Sequence, residues 1–135
     1  MNNFNKNIIY LQQKDFNVNK TKSTDFLSFK NNLDIPIFIL FQSTNCGYCI
    51  HMKPEYQNAV NIFVKKNKNL AYFTTIEINN PEDFDDNKKN MFSDLNGVPV
   101  LYFYDKNGRK ISEYTDNERN TNSILKFFEK SIFRK

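Results

Sequence analysis

The sequence predicts a mixed α/β domain, a central mixed β-sheet flanked by helices in the order β-α-β-α-β-α-β-β-α. Three observations carry this expectation. Residues 35–41 are a continuous apolar run of strand length, the pattern of a strand buried on both faces. Strand-like and helix-like stretches alternate over most of the chain, which implies parallel pairing early in the sheet. Near the end, Asp105-Lys106-Asn107-Gly108 reads as a tight turn between two strand-like runs, which forces an antiparallel pair.

Taken in order, residues 8–11 are a short apolar run, the expected first strand, and residues 17–24 a polar connection. Ser23 or Thr24 is positioned to cap a helix reaching about Asn32, with Phe26, Leu27 and Phe29 as its apolar positions. Pro36 suits the start of the strand over 35–41. Ser43, Thr44 and Asn45 offer N-cap side chains ahead of Cys46, and a helix should follow to about Lys66. Met52, Tyr56, Ala59, Val60 and Phe63 share one face of it at helical spacing, and Pro54 should kink it. Residues 70–78 are rich in β-branched and aromatic residues and read as the third strand. Pro81-Glu82-Asp83 opens another helix with Met91, Phe92 and Leu95 on its buried side, and Asn96-Gly97 ends it. Residues 98–104 form a strand interrupted by Pro99, and residues 110–115 the returning strand. Thr121 or Asn122 should cap a last helix that turns Ile124, Leu125, Phe128 and Ile132 inward.

The bulk composition bounds the function classes. The 135 residues suffice for one domain (residues 1–135), and 39% hydrophobic with 25% charged residues is a globular balance. The 14 Phe and 7 Tyr predict a Phe-rich core. The net charge of +4 permits weak attraction to nucleic acid or anionic membranes without requiring it. Lys65, Lys66 and Lys68 are the densest basic group, and they fall at a helix end, where cations are favourable anyway. Neither nucleic acid nor membrane is therefore an expected partner. No stretch nears the roughly 20 apolar residues of a membrane span. Residues 1–11 lack the apolar segment of a secretory signal, so a cytoplasmic location is expected; a monomer is expected as a separate matter.

The chemistry lies in two cysteines spaced three apart, Cys46-Gly47-Tyr48-Cys49. A disulfide-stapled secreted domain uses more cysteines, spaced further apart. A thiol attacks a disulfide as its thiolate, and the unpaired N–H groups and partial positive charge of a helix start favour that form. Cys46 stands at such a start, directly after a buried strand. The spacing returns Cys49 to it within the first turn, so Cys46 is the expected exposed nucleophile and Cys49 the shielded resolving thiol. The competing reading is half of a metal site, zinc or a dimer-bridging iron–sulfur cluster. With two Cys and one His in the chain, a carboxylate or a partner would have to complete the shell. His51, two residues past Cys49, reads as a surface residue, and Tyr48 as a stacking surface for substrate.

Residues 35–56, through Cys46-Gly47-Tyr48-Cys49 and then Met52-Lys53-Pro54-Glu55-Tyr56, resemble the thioredoxin superfamily and are similar to the catalytic domains of protein disulfide isomerases. That family has a C-G-x-C centre followed five residues later by a helix-kinking proline, here Pro54. It also has a cis-proline opposite the centre, matched by Gly97-Val98-Pro99. Glu113-Tyr114, Glu118-Arg119 and residues 124–128 are similar to the isomerase ending, and the resemblance covers about residues 8–133. It implies a thioredoxin fold and a thiol–disulfide oxidoreductase acting on thiols or disulfides of protein substrates. An unidentified reductase or oxidase would be its second partner. It implies a redox-active Cys46/Cys49 disulfide with no other cofactor, and no metal, because Pro99 would pack against the sulfurs. A cis bond at Pro99 would expose the Val98 backbone to an extended substrate, and Arg119 would modulate the Cys49 thiolate.

The chain departs from the family at three positions. Asn45 replaces the Trp before the first cysteine, Leu40 the buried acid six residues before it, and Thr75 the lysine that partners that acid. Two rival readings stay open at this stage, a glutathione-coupled glutaredoxin-like reductase and a redox-inert binding module that uses the Val98-Pro99 groove.

Overall fold

A computed structural model of the chain describes residues 7–18, 24–80, 82, 84, 88, 95 and 97–134. Its elements, in chain order, are β1 (Ile9–Tyr10), a 3-10 turn (Gln13–Asp15), β2 (Phe16–Val18), β3 (Leu27–Phe29), β4 (Ile37–Gln42) and α1 (Gly47–Lys66). There follow β5 (Tyr72–Glu77), β6 (Val100–Tyr104), β7 (Lys110–Glu113) and α2 (Thr121–Ile132). The main sheet has the order β1-β5-β4-β6-β7. β5 runs parallel to both β1 and β4, while β6 pairs antiparallel with β4 and β7. The sheet is therefore mixed, parallel early and antiparallel late.

β4 lies at the centre and is buried along its whole length. Its period-2 alternation sends Phe38 and Leu40 into one core and Ile37, Ile39 and Phe41 into another. On the first face α1 contributes Met52, Tyr56, Ala59, Val60 and Phe63, and α2 contributes Ile124 and Phe128. This core is aromatic, as the composition predicts. Phe38 stacks on Phe73 at 5.2 Å and meets Phe128 at 4.7 Å. On the second face Phe16, Leu27 and Leu95 pack against Tyr102 and Tyr104.

The helix expected between residues 24 and 32 is not there. That segment contains β3, which pairs antiparallel with β2 in a separate two-stranded sheet, Phe16 opposite Phe29. Three contacts with the turn and hairpin near Gly108 explain the difference. The Leu27 N–H donates to the Gly108 carbonyl at 2.8 Å, Phe26 bridges Arg109, and the Lys110 N–H donates to the Asp25 carbonyl at 2.9 Å. Leu27 and Phe29 flank an exposed Ser28, which also fits a strand. Backbone pairing to a distant turn thus overrides a marginal helical pattern. Of the helix expected from Pro81, the positions Pro81, Asp83, Met91, Phe92 and Asn96 lie outside the described residues, as does Ser23; Leu95 is buried.

Helix α1 runs unbroken through Pro54. The α2 cap is Asn120 rather than Thr121 or Asn122, its Oδ1 accepting the Ser123 N–H at 2.9 Å. A second link binds α2 to α1, since Glu55 Oε1 accepts both the backbone N–H and the hydroxyl of Thr121, at 2.8 and 2.9 Å. A carboxylate at a helix N-terminus is favourable in its own right, and this one fixes the loop before α2 against the helix that carries the cysteines. No helix among the described residues is long and apolar enough to cross a membrane.

Candidate active site

The buried strand β4 ends at Gln42, and four residues later Cys46 becomes the N-cap of α1. Cys46 itself does the capping that Ser43, Thr44 or Asn45 were expected to do: its Sγ accepts the Cys49 N–H at 3.2 Å. The Ser43 side chain is engaged elsewhere, and so are the backbone N–H groups of Thr44 and Asn45. Ser43 Oγ donates to Asn79 Oδ1 at 2.8 Å, the Thr44 N–H donates to the same oxygen at 2.8 Å, and the Asn45 N–H donates to Ser43 Oγ at 3.2 Å. Asn79, just past β5, thus pins the loop that presents Cys46. The sequence reading misses it, because an Asn after a strand looks like an ordinary turn residue.

The two sulfurs occupy different surroundings. Both are free thiols, Cys46 partly exposed and Cys49 only 4% exposed. The Cys46 thiol also donates to the Val98 carbonyl at 3.4 Å, which brings the Gly97-Val98-Pro99 segment to the pair. The Val98–Pro99 peptide bond is cis. Cys49 Sγ accepts the Ser43 N–H at 3.4 Å. Burial is the main cause that pushes the Cys49 thiol from its ordinary 9.0 up to about 12; the hydrogen bond with Cys46 adds to this, while the Ser43 N–H and the Arg119 guanidinium oppose it.

Around the pair, Tyr48 and Ile50 are 67% and 62% exposed on the first turn of α1. The Arg119 guanidinium lies over the Tyr48 ring, 5.0 Å from its centroid. A cavity of about 270 Å³ beside them is lined by Met52, Val98, Pro99, Tyr114 and Arg119 among others. The structure thus gathers Cys46, Tyr48, Cys49, Val98, Pro99 and Arg119 at one place. His51 is exposed. Leu40 is buried in the apolar core, and the buried Thr75 opposite it donates its hydroxyl to the Leu40 carbonyl at 2.8 Å. Where an acid–lysine pair would sit there is a methyl-lined, hydrogen-bonded strand pair. Among the described residues no group of three His, Cys, Asp or Glu is placed to hold a metal ion.

A family model of the thioredoxin-like domain matches residues 26–128. The chain belongs to the thioredoxin-like domain family. Among solved structures, this thioredoxin-like chain is similar to the J-Trx1 fragment of ERdj5, with 15% identity and a TM-score of 0.62 over 94% of this chain and 52% of that one. Human ERp44 in its zinc-bound form matches with 14% identity and a TM-score of 0.63 over 91% of this chain and 29% of that one. The first thioredoxin domain of mouse protein disulfide-isomerase A4 matches with 19% identity and a TM-score of 0.51, over 74% and 62%. At these identities the likeness is one of fold. The chain spans about half of the ERdj5 fragment and under a third of ERp44. No curated protein sequence matches it.

Burial gives the site a signature in stability. Besides Cys49, the buried Tyr56 and Tyr104 hydroxyls are pushed well up from 10.0, again chiefly by burial. From about pH 9 upward the unfolded chain releases these protons while the folded chain keeps them. The contribution is whole below about pH 9 and is lost as pH climbs through the alkaline range. Urea midpoints of the reduced protein should fall steadily above about pH 9, and Cys49→Ser should flatten the onset of that fall. Midpoints unchanged up to about pH 11 would contradict the burial of these groups.

Proposed function

We propose that this chain is a thiol–disulfide oxidoreductase acting on protein substrates, with Cys46 as nucleophile and Cys49 as resolving thiol. The observation that carries the reading is the asymmetry of the pair. Cys46 caps the helix start, accepts an N–H and reaches the surface, while Cys49 is buried behind it. The thiolate of Cys46 attacks one sulfur of a substrate disulfide, and the other sulfur leaves as a thiolate and takes a proton from water. Cys49 gives up its proton and attacks Cys46, so the Cys46–substrate bond breaks and a Cys46–Cys49 disulfide forms. The substrate gains two electrons and the pair loses two. A dithiol reductant restores the pair; a disulfide oxidant drives the reverse direction. Val98 and Pro99 line the groove in which an extended substrate segment would lie, with Tyr48 and Ile50 as its apolar flank. Arg119 supplies a positive charge toward Cys49.

Alkylation tests the order of the two thiols. With its pKa pushed up to about 12, chiefly by burial, Cys49 stays protonated near neutral pH. Near neutral pH, iodoacetamide should therefore label the exposed Cys46 of the reduced native protein well before the buried Cys49. Equal labelling rates would sink the assignment. Insulin reduction by dithiothreitol, with and without the protein, then separates an enzyme from an inert module.

A further inference from the structure

We propose that the groove between β7 and α2 is a second substrate contact, one that takes acidic residues of an extended segment of the protein substrate. The proposal rests on the thiol–disulfide reading and adds to it the class of protein the site prefers. The groove holds a cavity of about 550 Å³, with Ser112 and Glu113 of β7 on one wall and Lys126, Lys130 and Arg134 on the other. It continues into the cavity beside the cysteines, since Tyr114, Thr115 and Asp116 line both. A substrate segment lying against Val98 and Pro99 therefore has a path onward along β7.

Charge and spacing choose the occupant. Lys126, Lys130 and Arg134 are exposed, and among the described residues none of them forms an ion pair. The acids of the groove are already engaged: Glu113 Oε2 lies 3.6 Å from Lys110 Nζ, and Asp116 Oδ1 accepts the Glu118 N–H at 2.9 Å. The groove thus carries unmatched positive charge and favours an anionic occupant. Lys126 and Lys130 stand one helical turn apart, about 6 Å along the axis, and Arg134 extends the row just past the end of α2. A row of cations suits a chain of carboxylates better than one small anion. In an extended chain, alternate residues repeat at about 7 Å and point to one face. β7 can support such a chain. It is the outermost strand of the main sheet, the Lys110 N–H donates to the Asp25 carbonyl, and beyond that bond its outer edge is open among the described residues. Ser112 Oγ lies 3.1 Å from Ser131 Oγ, so the side of β7 that carries Ser112 faces α2. Alternate side chains of an added strand would point the same way, toward the cation row. The preferred segment therefore carries carboxylates at every second residue.

Peptide disulfides read the preference directly. One peptide carries Glu-Ser-Glu-Ser-Glu on both sides of a single cysteine, joined through short Gly-Ser spacers, and its partner has Gln at every Glu. Each cysteine is disulfide-bonded to 5-thio-2-nitrobenzoate. The Cys46 thiolate attacks the peptide sulfur, the 5-thio-2-nitrobenzoate leaves as a coloured thiolate, and the peptide is left joined to Cys46. Attack by Cys49 then frees the peptide thiolate and forms the Cys46–Cys49 bond. Each rate of colour release is divided by that of dithiothreitol with the same peptide, which removes the peptides' own difference in reactivity. At low ionic strength the reduced protein should prefer the Glu peptide by about three- to tenfold, and the preference should shrink as salt rises. The triple variant Lys126→Gln, Lys130→Gln, Arg134→Gln should bring the two peptides to one rate. Lys65→Gln, Lys66→Gln, Lys68→Gln, which removes the same charge from the end of α1, should keep the preference. Equal rates with wild type, or a preference that survives the groove variant or vanishes with the α1 variant, would overturn the groove contact while leaving the oxidoreductase reading in place. Failure to release colour from either peptide, with Cys46 open to alkylation, would overturn both.

Discussion

Cys49→Ser converts the protein into a trap: extracts treated with it should show new, thiol-sensitive bands on non-reducing gels, each containing the protein joined through Cys46. The reason is geometric. In the wild-type site the Cys49 N–H already donates to Cys46 Sγ at 3.2 Å, so the resolving thiol sits within one helical turn of the sulfur it attacks. Attack from so close a neighbour has an effective concentration far above that of any free thiol, and its loss should lengthen the life of the mixed disulfide by at least about a thousandfold. Serine preserves the size and burial of the side chain, and its hydroxyl can accept the Ser43 N–H as the sulfur does. The variant should therefore fold. Cys46→Ser is the matching negative, because without the nucleophile no mixed disulfide forms. Absence of trapped bands, with Cys46 still open to alkylation, would favour the inert binding module over the enzyme.

How far the molecule can be read from its sequence depends on whether a feature is encoded locally. β4 is legible because a strand buried on both faces must be apolar at every position, and residues 37–41 are. The turn before β7 is legible because Asp105 carries its own turn chemistry, its Oδ1 accepting the N–H groups of Asn107 and Arg109 at 2.9 and 3.1 Å. The cysteine pair is legible because spacing and helix start are both local. β3 is not, since its conformation depends on Gly108, some eighty residues away. Nor are Asn79 and Glu55, whose roles at the site come from oxygens reaching across the fold to Ser43, Thr44 and Thr121. The Arg119–Tyr48 contact belongs to the same class. The local chemistry of both residues is plain in the sequence, but their meeting depends on how α2 docks against α1.

The largest effect on stability should come from Gly108→Ala, and the three glycines of the chain form a graded test of why. Gly108 has φ of +87°, a backbone region that costs an L-residue about 1–2 kcal/mol. A Cβ there would also stand 1.8 Å from the Leu27 carbonyl oxygen and 2.9 Å from its carbon. These are backbone atoms, which cannot turn aside as a side chain would, so β3 must move away from the turn. That movement breaks the 2.8 Å bond from the Leu27 N–H to the Gly108 carbonyl and withdraws Leu27, 1% exposed, from its core. A lost backbone hydrogen bond and partial exposure of a buried leucine together bring the expected loss to at least about 3 kcal/mol, or about 10 °C in Tm. Gly97 isolates the conformational part. Its φ is +103°, but a Cβ there meets nothing within 4 Å, so Gly97→Ala should cost only about 1–2 kcal/mol. Gly47, in the first turn of α1, has neither a positive φ nor a near neighbour, and Gly47→Ala should be neutral or slightly stabilising as a helical residue. Urea unfolding of the reduced proteins at one pH gives the ranking. A Gly108→Ala loss no greater than that of Gly97→Ala would mean that β3 does not rest on the turn at Gly108.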